Sequence, residues 1–162
     1  METVFEPTVP LSQMTLEQRQ TQEIKGLSWK QPFAELMFHG KIETRVWNTD
    51  YRGWVLICAT QKGFSIKDLW EMCPRAAMTK ITKLPLAKMP QGKAIGVGYL
   101  HRTRYMLPDD IAQTYVGYKS GLICHEYKWV ERIEPFDFKG QQRWSKLSVD
   151  IWNSIKFIPT KP

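Results

Sequence analysis

A chain of 162 residues with 43% apolar side chains suits a single domain whose core needs neither disulfide nor metal to hold it. Three cysteines without C-x-x-C spacing, Cys58, Cys73 and Cys124, exclude a disulfide framework and a zinc knuckle, and read as small buried residues. No basic-then-apolar leader opens the chain and no run approaches the roughly 20 apolar residues of a membrane span, so a soluble, cytoplasmic protein without membrane contact is expected.

The formal charge of +7 is unevenly placed. Residues 75 to 107 hold Arg75, Lys80, Lys83, Lys88, Lys93, Arg102 and Arg104 and no acid, which accounts for the whole excess. Such a local positive field suits either a polyanion, whose counterions are released on binding, or a merely soluble lysine-rich loop. His39, His101 and His125 have no ligand spacing, and only the adjacent Cys124 and His125 offer a shared metal. Neither metal nor cofactor is expected.

In chain order, Thr15 and Gln18 form a possible capping box over TLEQRQ, with Leu16 and Ile24 as its sparse apolar face and residues 1 to 12 disordered. Pro32 suits the first position of a helix that buries Phe33, Leu36 and Met37 and ends at Gly40 as a left-handed cap. Its first N–H groups, beside Lys30, are a candidate anion site.

A strand follows over 41 to 47. Alternation puts Lys41, Glu43, Arg45 and Trp47 on one face and Ile42, Thr44 and Val46 on a core face. The charged face reads either as solvated or as the wall of a cleft in which Trp47 offers a flat ring. After the turn NTDYRG, WVLICAT reads as a strand buried on both faces. Ser65 and Asp68 start a helix with Ile66, Leu69 and Trp70 inward, and a second short helix follows Pro74.

The lysine-rich segment to residue 93 reads as a loop, and AIGVGYL as a strand with Ile95, Val97 and Tyr99 on one face and Gly96 and Gly98 open to close approach on the other. Pro108 starts a short helix that stops near Gly117, and LICHEYKWVERIEPF supplies one or two strands. In the tail Trp144, Leu147, Ile151, Trp152 and Ile155 have helical spacing, while Leu147, Val149 and Ile151 alternate as in a strand; helix is preferred.

Several of these segments together resemble the ASCH domain, a branch of the PUA-like superfamily. Leu27, Ser28, Gln31, Pro32, Phe33 and Ala34 are similar to its L-S-x-x-Q-P-W-A pattern. Gly40, Lys41, Glu43 and Arg45 are similar to its G-x-K-x-x-E-x-R signature, with a shorter step between glycine and glutamate. Trp47, Tyr51, Arg52 and Gly53 follow its W-x-x-x-Y-R-G segment, and Tyr127, Trp129, Val130, Pro135, Gly140 and Gln141 its terminal segments. The resemblance implies an α+β fold over residues 25 to 145, a PUA-like small mixed β-barrel with short flanking helices. Residues 1 to 24 are then a partly disordered or helical extension and 146 to 162 a helical one.

The resemblance also implies a nucleic-acid or modified-nucleotide binding module, with RNA favoured over DNA; a monomer is expected. The same resemblance makes Lys41, Glu43, Arg45 and Trp47 the lining of a cleft beside Gln31. The residues agree with that expectation: a base is expected to stack on Trp47 or Tyr51, and Lys30, Arg52, Lys80, Lys83, Lys88, Arg102 and Arg104 to hold phosphates.

The rival reading is a hydrolase. Some small relatives hydrolyse N4-acetylcytidine with a lysine, a threonine and a glutamate, which would make Lys41 and Glu43 catalytic, or else the chain is a ribonuclease. Glu43 occupies the threonine's place, and strand alternation sets Thr44 opposite Lys41. A third reading is a protein adaptor using some of the seven tryptophans.

Overall fold

The computed structural model describes residues 6–74, 84–141 and 143–159. Six strands form one mixed sheet: β1 (Ile24–Trp29), β2 (Glu43–Arg45), β3 (Gly53–Ala59), β4 (Lys93–Tyr105), β5 (Ile123–Asp137) and β6 (Ser145–Lys146), in the order β2-β5-β4-β3-β1-β6. β1 and β3 are parallel and the other pairs antiparallel. Among the fully described elements, short helices flank the sheet at α1 (Leu16–Gln20), α2 (Phe33–Leu36), α3 (Ile66–Met72) and α4 (Ile111–Thr114). Among the described residues no helix is long and apolar enough to cross a membrane.

The sheet is curled rather than flat. Arg45 in β2 donates from Nη2 to the Ser28 carbonyl of β1 at 2.9 Å, although four strand spacings, roughly 19 Å in a flat sheet, lie between those strands. The bending sits in the two longest strands. Between β4 and β5 the register shifts at Ala94/Gly96, Val97/Tyr99 and Leu100/Arg102, and Trp129 takes a φ of 56° in the same ladder. Each such bulge adds a bend and extra twist. At Gly96 an added Cβ would stand 2.4 Å from the Phe38 ring and 2.8 Å from the Glu131 carbonyl, so only glycine admits that crossing.

β3 is buried along its whole length, as WVLICAT suggested, and its side chains divide strictly by parity. Trp54, Leu56 and Cys58 join one cluster with Leu11, Val97, Tyr99, Ile133, Trp152 and Ile155. Val55, Ile57 and Ala59 join a second with Leu27, Trp29, Met37, Ile95 and Leu100. A third, smaller cluster of Leu36, Leu69, Cys73 and Tyr115 ties α2, α3 and α4 together. The bulges separate Ile95 from Val97 and Tyr99, which the uninterrupted alternation had placed on one face.

Local signals hold where the physics is local. Thr15 and Gln18 make the reciprocal capping box of α1, Ser65 accepts from the Asp68 N–H at the start of α3, and Gly40 takes the left-handed conformation after α2 with a φ of 83°. Pro32 sits one place earlier than expected, as N-cap of α2, following a cis Gln31–Pro32 bond.

Other expectations change. Ile24 opens β1 instead of facing α1, and Leu11, expected in a disordered arm, is fully buried against the first cluster. On α3 only Leu69 turns inward, while Ile66 and Trp70 are exposed because α3 packs through Leu69 and Cys73 alone. The tail divides into β6 and a 3-10 helix, Val149–Asn153, that seats Trp152. The helix expected after Pro74, and Arg75, Lys80 and Lys83, lie outside the described residues.

Candidate nucleotide-binding cavity

The two charge readings of 41 to 47 both assumed a long strand, and the structure holds only three paired residues there. Lys41 and Ile42 precede β2, so alternation does not reach Lys41. The polarity of the strand is also inverted. Lys41 and Glu43 are buried, whereas Val46, expected in the core, is 79% exposed. The inward faces of the curled sheet are taken by the larger apolar side chains of β1, β3 and β4, which leaves this edge to bury its charges as a matched set.

That set is a chain of ion pairs. Lys41 Nζ donates to Glu43 Oε1 at 2.9 Å and to the Ile42 carbonyl at 3.1 Å, and Arg45 Nη2 donates to Glu43 Oε2 at 3.0 Å. The Thr44 N–H also donates to Glu43 Oε1 at 3.0 Å. Burial pushes the Glu43 carboxyl up, but Lys41, Arg45 and these hydrogen bonds outweigh it, and its pKa lies below the ordinary 4.5. Glu43 is therefore a fixed carboxylate, unsuited to giving up a proton as a general acid near neutral pH.

The ion pairs form one wall of a cavity of about 550 Å³ at the C-terminal ends of the parallel strands β1 and β3. That is the size of pocket that holds a drug-sized ligand. Trp29, Phe33, Trp47 and Phe64 supply aromatic surface, Val46, Val116 and Leu122 aliphatic surface, and Lys30 and Arg143 charge. Lys30 Nζ lies 5.0 Å from the centre of the Phe64 ring, the Arg143 guanidinium 5.4 Å from Trp47 and the Arg45 guanidinium 5.1 Å from Trp29. Each cation thus rests on a ring of the wall. Among the described residues Lys30 and Arg143 have no carboxylate partner, while two donors sealed inside the wall, Trp29 Nε1 and Arg45 Nε, have no hydrogen-bond acceptor.

Behind the cavity His125 holds Trp47. Its Nε2 is 3.0 Å from the Trp47 carbonyl, which can only accept, so the proton sits on Nε2. The rings meet edge-on at 5.1 Å, and Trp144 meets Trp47 at 5.7 Å. Burial lowers the His125 pKa below 6.5, keeping the ring neutral at pH 7. Burial also raises the Cys58 and Cys124 thiols, to about 12 and about 11, so neither offers a thiolate.

Of the described residues singled out in the sequence for binding, Lys30, Lys41, Glu43, Arg45 and Trp47 line this cavity, and Gln31, Tyr51, Arg52, Lys88, Arg102 and Arg104 do not. Gln31 is fully buried as a brace, donating to the Pro90 carbonyl and accepting from the Glu35 N–H. Tyr51 donates to the Trp54 carbonyl and Arg52 to the carbonyls of Thr49 and Tyr51 and to Thr103, so both pin the loop after β2. The Phe33 N–H, a supposed anion donor, is taken by the Lys30 carbonyl. Lys88 is exposed on a short turn.

The uncompensated charge of 75 to 107 is in fact partly neutralised. Arg104 makes a two-fold contact with Asp110 and a bond to Glu126, Arg102 lies 3.4 Å from Glu126, and Lys93 pairs with Asp137. The partners come from β5 and the start of α4, outside the basic stretch. Conversely Trp29, Phe64 and Arg143 were missed as site residues. Trp29 reads locally as the end of a buried strand, and Phe64 and Arg143 reach the cavity only through the curl of the sheet.

No protein-family model matches the chain, and no curated protein matches it by sequence. Among solved structures it is similar to the crystal structure of an ASCH protein from Zymomonas mobilis. The TM-score is 0.49 at 14% identity, with 82% of this chain and 92% of that one covered. Two point variants of that protein, serine to alanine and tyrosine to phenylalanine, give TM-scores of 0.48 and 0.46 at 14% and 13% identity. They cover 78% of this chain and 89% and 91% of theirs.

Proposed function

We propose that this chain is a nucleic-acid binding module that takes one base of a single RNA strand into the cavity beside Lys41, Glu43 and Arg45. The observation that carries the reading is the pairing of aromatic walls with two cations, Lys30 and Arg143, that have no carboxylate partner among the described residues. Phe33, Trp47 and Phe64 line the cavity with half-buried rings that a base can meet, while Trp29 is buried behind them under the Arg45 guanidinium. A base supplies the π-face, and its flanking phosphates suit Lys30 and Arg143. Phosphate contact moves in this reading from Arg102 and Arg104, which are paired, to those two rim cations.

Anisotropy titration of labelled single-stranded RNA and DNA of the same sequence tests it. Stacking is worth about 1–3 kcal/mol per base, so Trp47→Ala is expected to raise Kd by about 5- to 150-fold. Equal binding by wild type and variant, or none by either, overturns the reading.

One observation favours an enzymatic second reading. Thr44 is among the residues lining the cavity with Lys41 and Glu43, contrary to the expectation that it would face away. Those are the residue types the resemblance assigns to N4-acetylcytidine hydrolysis. Against it, Lys41 Nζ is already committed to Glu43 and the Ile42 carbonyl and lies over the Phe33 ring, an arrangement that holds an ammonium rather than frees a base.

A further inference from the structure

A second, smaller recess of about 180 Å³ adjoins the cavity, and Ser28 and Thr60, at the ends of the parallel strands, line both. Its other walls include Gln61, Phe138 and Lys139, with Gly92 and Gly140 closing it through bare backbone. Lys139 carries the recess's one charge, and among the described residues neither Lys139 nor the Gln61 side chain has a partner. Gly140 approaches Ser28 so closely that an added Cβ would meet the Ser28 hydroxyl at 2.1 Å, so the wall shared by the two spaces has no bulk to spare.

We propose that the recess seats a phosphate ester of the ligand whose base occupies the large cavity. The assignment rests on the nucleotide-binding reading and deepens it, because it makes the ligand a phosphorylated nucleoside, free or within a strand, rather than a neutral one. The recess is too small for a second nucleotide. Its donors, an ammonium and a primary amide with a serine hydroxyl at the shared wall, match an anion of several acceptor oxygens. Bare glycine backbone allows that anion to come close. It lies next to the cavity at the same strand ends, which is where the link of a bound nucleotide would leave.

The test measures binding of cytidine and uridine, their 5′- and 3′-monophosphates, and an RNA trinucleotide by calorimetry. The proteins are wild type, Lys139→Gln, Gln61→Ala and, as control, Lys156→Gln, an exposed lysine that lines neither space. Lys139→Gln is expected to weaken phosphorylated ligands roughly 5-fold, to leave nucleosides unchanged and to flatten the trinucleotide salt slope by about 0.7. The monophosphate arms against the trinucleotide show whether the phosphate is terminal or internal. Nucleosides that bind as well as every phosphorylated ligand, or a loss in Lys156→Gln equal to that in Lys139→Gln, overturn the recess alone. No binding of any ligand by wild type overturns the nucleotide reading and the recess with it.

Discussion

Glu43 is the residue on which the cavity's electrostatics turn. It neutralises one buried cation, Lys41, and one half-buried cation, Arg45, and its removal leaves both without a counter-charge in a place where solvation is poor. Glu43→Gln is therefore expected to cost about 3–5 kcal/mol in urea denaturation, far more than a surface substitution. The pH dependence has a fixed sign. A group whose folded pKa is depressed stabilises the fold fully above its unfolded pKa and loses that contribution as pH falls through the folded value. For His125 the loss begins below 6.5, for Glu43 below 4.5, and for Asp110, which the Arg104 hydrogen bond holds low, only below 3.8. The urea midpoint should then fall in two stages on acidification. His125→Gln should diminish the first and Glu43→Gln the second, and a midpoint flat from pH 7 to 4 would refute the assignment. Lys41 leads to a further expectation. With its ammonium held by Glu43, purified protein should bind but not hydrolyse N4-acetylcytidine, and turnover lost in both Lys41→Ala and Thr44→Ala would reverse the order of the two functional readings.

At the scale of elements, the curl of β4 and β5 brings β2 to β1 and so makes the cavity. Gly96 lies in that ladder, pressed by Phe38 and the Glu131 carbonyl. Gly96→Ala should cost about 1–3 kcal/mol, because a backbone carbonyl cannot move aside as a flexible side chain would. Thermal melting checks the cost. Trimming Phe38 to leucine in the same chain should recover only part of it, since the carbonyl contact remains. The bulges have a second effect. They exchange the faces of Ile95 and Val97, so that each long strand feeds two clusters and the sheet is covered on both sides by short elements such as α2 and the 3-10 helix that seats Trp152.

For the whole molecule, net charge is a poor guide to where a polyanion would lie. Lys93, Arg102 and Arg104 each meet a carboxylate, while Lys30 and Arg143, far apart in sequence, stand without one among the described residues at a single cavity. Lys30→Gln and Arg143→Gln should each flatten the log–log salt dependence of RNA binding by about 0.7, and Arg102→Gln should leave it unchanged. A slope that responds to Arg102 but to neither rim cation would move the interface to the other end of β4.

The sequence by itself determined what depends on near neighbours. The Thr15 and Ser65 caps, the left-handed Gly40 and the all-apolar β3 follow from side chains three or four residues apart or from unbroken burial. It also pointed to Lys41, Glu43 and Arg45 as a unit, since their types and spacing lie within five residues. Their surroundings were decided only by tertiary structure. Alternation predicted a charged face on a long strand, but the pairing covers only Glu43–Arg45, Lys41 and Glu43 turn inward and Val46 turns out. The same holds for the cavity, whose walls come from β1, β2, α2 and the segments around Thr60, Val116, Leu122 and Arg143. No local pattern relates those positions. They meet because three register shifts bend one pair of strands, and the effect of a bulge is felt where the far edge of the sheet arrives, not where the extra residue sits.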